Sequence, residues 1–375
     1  MRDIAYCILT YNHRDALELV LSEIQESFCK NNIDIYIFDS SEADDTKELV
    51  EGKQAQGADN LFYVECKDIH SGDEKYLFVI KNELLQRKYR YIWPSKDRTI
   101  ISGRNLEVVR QRCNEGNDAV VFAADMNRSE YIYPQYNNMY TDMVELFRDY
   151  GALSGSWESV IFSSDFLLNI DWERYSKEYM VNERNPFNQP VIFYTRLSEL
   201  KNPRVAVIHA NPYERMYVAG VESTWIDRTM DIFGKQWPEA ILALPNCYEK
   251  HKLDVIKKET MVPELFGSID NLMFLYEKGI LSKDSFDEIK GMWEFLSDIK
   301  REYVHMLIND DFDALIKSVL KDYNTALENN DIMKVIWLHK TNTWLAMVIG
   351  QEKYDERSKE YEAYLISKNE TCKFY

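Results

Sequence analysis

The sequence has no Cys-x-x-Cys pair. Its six cysteines, Cys7, Cys29, Cys66, Cys113, Cys247 and Cys372, are scattered along 375 residues. That spacing speaks against a zinc site and against a disulfide framework, and free thiols in a reducing cytosol are the simplest account. There is also no apolar run near the ~18 residues that a membrane helix needs. The start lacks a signal-peptide pattern, because Asp3 is charged and the apolar stretch Ile4–Leu9 is short. A cytoplasmic protein without an integral membrane segment is expected, with peripheral contact at the inner membrane face left open. Positive charge is scarce too: 45 Lys and Arg stand against 63 Asp and Glu, a net −18. A nucleic-acid partner wants a broad basic face and is not expected. What is abundant is core material. Hydrophobic residues make up 45% and aromatics 13%, enough to pack two domains of the usual ~100–200 residues.

Short β-type runs alternate with helical patterns through the first half. Ile4–Thr10 and Ile33–Phe38 read as buried strands, with Leu17, Val20, Leu21, Ile24 and Phe28 at helical spacing between them. A short helix is expected over Asp45–Gly52, then strands at Leu61–Val64, Tyr91–Trp93, Ala119–Ala123 and Val205–His209. One helix over about Asp73–Lys88 should lead into Tyr91, and Gly151–Phe162 reads as small-residue β structure. Alternation of this kind implies a mostly parallel sheet with helices on both faces, whose ligands bind at the carboxyl ends of the strands. From about residue 233 the pattern turns helical. Phe286, Ile289, Trp293, Leu296, Ile299, Tyr303 and Leu307 make one stripe, and Ile332, Val335, Ile336 and His339 continue the series. The expected division is 1–232 and 233–375, the second part all-α.

Three places just past strand ends could meet on one rim: Thr10-Tyr11-Asn12, Asp39-Ser40-Ser41, and Asp97. The last sits in an unusual setting. Between Lys81 and Arg112 there are nine Lys or Arg and three Asp or Glu, a local +6 in an acidic chain. Such an island around one carboxylate suits an anionic ligand with a divalent cation, such as a nucleotide diphosphate. It is equally what a solvated helix face and loop would show.

A strand ending in Thr10-Tyr-Asn12, followed by Ile35-Tyr-Ile-Phe-Asp-Ser-Ser41 and Asp44-Asp45-Thr46, resembles the N-terminal signature of family 2 glycosyltransferases with the GT-A fold. Tyr91-Ile-Trp-x-x-x-Asp97 resembles the strand that leads into that family's metal-binding carboxylates. The resemblance covers roughly residues 1–232. It implies an α/β fold with a mixed, mostly parallel sheet flanked by helices. It also implies a nucleotide pocket lined by Thr10, Tyr11 and Asn12, with Asp39 on the uracil or ribose and Ser41 beside it. Asp97 would hold Mn²⁺ or Mg²⁺ on the sugar-nucleotide diphosphate. His209 is a second metal candidate, because some enzymes of this fold place a metal-binding histidine late in the domain.

The sequence departs from that pattern twice. Arg98 and Thr99 follow Asp97 where a second carboxylate is expected. A lone carboxylate holds a divalent ion weakly unless diphosphate oxygens and waters complete the shell, and Lys96 or Arg98 could neutralise the diphosphate instead. Asn188-Gln189 stand near the place where many members carry the Glu-Asp of the catalytic base. Inverting transfer still needs a carboxylate to take the acceptor proton. Glu158 and Glu183 are the candidates, against structural readings of a surface glutamate beside a core tryptophan and of a solvated loop. The function implied is transfer of a sugar from a UDP-sugar donor to a glycan on a protein, capsule or cell-wall precursor. The contrasting expectation is an inactive GT-A-like module that assists another glycosyltransferase in assembly. Tyr131, Tyr133, Tyr136 and Tyr140 offer stacking surfaces for the acceptor. The helical part is open to acceptor binding or to a homodimer.

Overall fold

The computed structural model describes residues 2–331 apart from 70, 123–138, 210–212, 216–224, 263–264 and 330. Residues 131–138 of the tyrosine-rich loop and the helical series from Ile332 onward lie outside the described residues. The described residues form two compact units: those up to 215 together with 239–252, and those of 225–238 with 253–331.

The first unit is built on an eight-stranded sheet. Its strands are β1 (Ile4–Thr10), β2 (Ile33–Asp39), β3 (Leu61–Glu65), β4 (Tyr91–Lys96), β6 (Ala119–Phe122), β7 (Met139–Tyr140), β8 (Val160–Ser163) and β9 (Val205–Ile208), in spatial order β3-β2-β1-β4-β8-β6-β9-β7. A separate ribbon pairs β5 (Ile100–Ile101) with β10 (Tyr213–Arg215). In the main sheet only β8 and β7 run against the rest. The expected mixed, mostly parallel sheet is therefore present.

All seven residues of β1 and of β2 are buried, as expected where helices cover both faces. Strand alternation divides the core in two. Ile4, Tyr6, Ile8, Ile33, Ile35 and Ile37 join the core that holds Leu17, Val20, Leu21, Ile24 and Phe28 of α1 (Arg14–Lys30). α2 (Asp45–Ala55) adds Leu49 and Val50 to the same core. On the other face Phe38 meets Phe78 of α3 (Gly72–Ile80) edge to face, with ring centroids 6.2 Å apart.

Three local expectations are corrected. The helix before β4 is two helices, α3 and α4 (Glu83–Lys88), because Asn82 starts a new one: its side chain accepts the Leu85 amide at 3.2 Å. The strand at Tyr91 does not break at Pro94 but runs to Lys96. Its pairing with β8 ends at Ile92, so Pro94 stands where β4 has lost that neighbour and the missing N–H does no harm. The stretch 151–159 is two 3₁₀ turns, and a strand begins only at Val160.

In the second unit the expected stripe from Phe286 to Leu307 is buried throughout, yet it is divided among the helices Lys283–Ile289, Trp293–Leu296 and Arg301–Ile308. Trp293 is its centre, against Phe266 and Phe286 at 5.5 and 5.3 Å, with its indole donating to the Ile299 carbonyl at 2.7 Å. Gly234 faces the same packing: a Cβ there would lie 2.9 Å from Ile289 Cδ1.

Candidate functional site at the carboxyl rim of the sheet

β1, β2 and β4 are parallel neighbours, and their register pairs Thr10 with Asp39 and Leu9 with Lys96. The chain therefore leaves all three strands at one level. After Thr10 it turns through Asn12, whose φ of 54° lies in the left-handed region that asparagine tolerates better than most residues. That turn brings the Asn12 amide to Ser41 Oγ at 2.8 Å. The Ser41 hydroxyl and amide both donate to Asp39 Oδ1, at 2.5 and 2.9 Å, and Tyr63 donates to Oδ2 at 3.1 Å. Burial, then the charge of Asp39, holds the Tyr63 phenol well above its ordinary range. Thr10, Asn12, Asp39 and Ser41 are thus brought together, while Tyr11 stands 42% exposed beside them. Thr10 Oγ1 and Ser40 Oγ are buried without a hydrogen-bond partner. Orphan hydroxyls of this kind cost about 1–3 kcal/mol each unless something arrives to meet them.

Past β4, Asp97 is buried, with its Oδ2 2.8 Å from His13 Nδ1 and its Oδ1 3.8 Å from Arg98 Nε. His13 is the residue before α1. Lys75 is the other cation of the rim. It lies in the first turn of α3, where Ser71 caps the helix by accepting the Asp73 and Glu74 amides. Lys75 is only 2% exposed, and its ammonium donates to the Thr10 carbonyl. Burial pulls its pKa down, while Cys66, Asp39 and Asp97 pull it up. The same burial pushes the Cys66 thiol up to about 11.

The candidate catalytic carboxylates sit differently. Glu158 is 1% exposed and fully engaged. Its Oε1 accepts the Lys96 amide and the Thr99 hydroxyl, both at 3.1 Å, its Oε2 accepts Ser156 Oγ at 2.9 Å, and Lys96 Nζ is 3.8 Å away. Its carbonyl takes the Trp93 indole at 3.0 Å. Glu158 thereby replaces the strand that β4 has lost beyond Ile92, which is the work of a brace. Glu183 is 60% exposed and 3.6 Å from Lys81. Gln189 is buried: its amide donates to the Ser154 and Ser156 carbonyls at 2.8 and 2.6 Å, and its oxygen accepts Tyr76 at 3.0 Å. It latches the 3₁₀ turns to α3, a position that now asks for an amide.

His209 lies past β9, its ring 6.2 Å from that of Tyr150. Among the described residues no three His, Cys, Asp or Glu side chains converge as they would on a metal ion. Asp97 offers one carboxylate, whose oxygens already face His13 and Arg98. These residues do not by themselves fit a resident Mn²⁺ or Mg²⁺.

Sequence reasoning missed His13, Lys75 and Tyr63. His13 directly follows Thr-Tyr-Asn, and Lys75 shares a helical face with Val79, which is fully buried. A lysine on an apolar face was the available signal.

No protein-family model matches the chain, and no curated protein sequence matches it. Among solved structures, S. aureus TarS 1-349 in complex with UDP is similar at 13% identity and a TM-score of 0.45, over 89% of each chain. Mannosyltransferase PcManGT from Pyrobaculum calidifontis, in complex with GDP-Man and Mn²⁺, is similar at 13% identity and a TM-score of 0.43. That match covers 78% of this chain and 84% of the other. At such distances function has to be argued from the residues of the rim itself.

Proposed function

We propose that the chain is a glycosyltransferase that moves a sugar from a UDP-sugar to a glycan hydroxyl. The acceptor class is a protein-linked, capsule or cell-wall glycan. The observation that supports this reading best is the unfinished clasp at the ends of β1 and β2. Asp39 and Ser41 are aligned with Asn12, while Thr10 Oγ1 and Ser40 Oγ have no partner. A carboxylate fixed at a strand end suits the hydroxyls of a ribose or the N–H of a uracil. The cations around Asp97 suit the diphosphate that follows.

In the inverting version the acceptor oxygen attacks the anomeric carbon. The bond from that carbon to the diphosphate breaks, the acceptor proton passes to a carboxylate, and the nucleoside diphosphate leaves with the electron pair. Of the two candidate bases, Glu183 is the one that solvent and an acceptor reach. Arg184 beside it pairs with Glu74 of α3 at 2.9 Å, one residue before Lys75. Glu158 holds the loop that carries Lys96 and Asp97. A second reading, a nucleotide-binding module without transfer, is favoured by Gln189, a locked amide near the place where the family's base is expected.

Turnover decides between them. UDP-sugar hydrolysis and transfer to a panel of glycans should fall about 100-fold or more in Glu183→Gln while UDP affinity is unchanged. Binding of UDP with no turnover on any donor would leave only the module. Among the described residues no helix is long and apolar enough to cross a membrane.

A further inference from the structure

We propose that the rim binds a nucleoside diphosphate through cations built into the chain, with Lys75 and Arg98 as the contacts and His13 as positioning residue, and without a divalent ion. The inference rests on the function proposed above and specifies how its site neutralises the donor.

An ammonium has three N–H donors, and removing it from water costs several kcal/mol unless they are met. At 2% exposure Lys75 has one hydrogen bond, to the Thr10 carbonyl, and makes no ion pair among the described residues. Its ammonium sits on the Thr10 carbonyl at the end of β1, and β1 lies between β2 and β4. Next to it, Thr10 Oγ1 and Ser40 Oγ are also unpartnered and buried. A dry cation with spare donors beside two orphan hydroxyls is a half-made anion site. The oxygens of a diphosphate would complete it, because they bring negative charge and acceptors together.

Asp97 fits this picture better as an anchor than as an ion ligand. A divalent ion on its oxygens would have to displace His13 from Oδ2 or approach the guanidinium of Arg98 at Oδ1. The first move costs the Asp97–His13 hydrogen bond, and the second places like charges together. Left as it is, Asp97 fixes the ring of His13 and holds Arg98 at the rim, where a guanidinium can take two phosphate oxygens at once.

The test is a calorimetric titration of the full chain with UDP, GDP and uridine, in excess EDTA and again in Mn²⁺. The expected result is a UDP affinity in EDTA within about twofold of that in Mn²⁺. Lys75→Met and Arg98→Gln should each weaken UDP by about tenfold, the loss expected for one charge-assisted hydrogen bond, and leave uridine unchanged. UDP binding that appears only with Mn²⁺ would overturn the inference and keep the nucleotide site. So would variants that bind UDP as wild type does. If neither UDP nor GDP binds in either condition, the nucleotide reading fails and this inference with it. Should Lys75→Met not fold, as its melting curve would show, the wild-type EDTA comparison and Arg98→Gln decide the matter.

Discussion

The two ends of the same parallel strands are finished in opposite ways. At the amino ends Arg2 pairs with Asp34 at 2.8 Å and Asp59 at 2.7 Å, and Tyr89 donates to Asp34 at 2.6 Å. Lys88 reaches Tyr36 at 2.9 Å, and Tyr36 shares a hydrogen bond with Tyr89. A cavity opens there too, lined by Arg2, Asn32, Asp34, Arg87, Lys88 and Tyr89. None of these side chains leaves a buried polar atom unpaired. At the carboxyl ends Thr10, Ser40 and Lys75 all have bonding capacity to spare. Buried polar groups are normally satisfied, so a rim that is saturated reads as structure and one that is not reads as a site. Positive charge is common to both ends, and these two sets of side chains differ in saturation.

The largest effect expected from this contrast is at the saturated end. Asp34→Ala should cost about 3 kcal/mol of stability by urea denaturation, because it strands the Tyr89 hydroxyl and one arm of Arg2 in buried surroundings. UDP affinity should not change. A variant that lost UDP binding while keeping its stability would reverse the assignment of the two rims.

Asp39→Ala, at the unsaturated end, should act the other way. We expect UDP binding to weaken by roughly 1.5–3 kcal/mol, the scale of a charge-assisted hydrogen bond lost in a dry site. It should also cost stability, because the Ser41 hydroxyl and amide that it releases are buried. Unchanged UDP affinity in calorimetry would remove Asp39 from the pocket.

The unsaturated rim was legible in part, for a physical reason. Thr10–Asn12 and Asp39 follow apolar strands directly, so strand periodicity alone places them at strand ends, and parallel pairing does the rest. Lys75 and His13 act through partners 65 and 84 residues away. Nothing local distinguishes such residues from solvated ones. Glu158 stood out correctly as unusual, but its surroundings were misread. Ser154-Gly-Ser-Trp has the composition of a strand, and the 3₁₀ turns it forms aim the carboxylate at the backbone of β4 instead of at a cleft. The helical stripe of the second unit shows the same limit, since periodicity marked which side chains are buried and missed where the helix is cut.

The smallest expected effect is a difference in how alkaline pH touches the two rims. At the amino rim burial, then the hydrogen bond to Asp34, holds the Tyr89 phenol protonated well above its usual 10.0. A raised pKa stabilises the fold fully below the unfolded value, and that contribution is lost as pH climbs above 10. Lys75 has the opposite sign. Burial depresses it below 10.5, so in the interval beneath 10.5 the unfolded chain binds more protons than the folded one. Stability therefore rises with pH across that interval, as the buried charge is discharged. Cys66 adds a loss of its own between 9.0 and about 11, and Lys75 lowers that thiol's pKa, so the Lys75 contribution is read as the difference made by Lys75→Met in a Cys66→Ser background, taken as wild type for this comparison. Urea midpoints measured from about pH 8 upward should show that difference moving in favour of wild type as pH rises. The corresponding difference for Tyr89→Phe should stay level to about pH 10 and then move against wild type. If wild type and Lys75→Met ran parallel throughout, the ammonium would be solvated, and the contrast between a finished and an unfinished rim would rest on the two orphan hydroxyls alone.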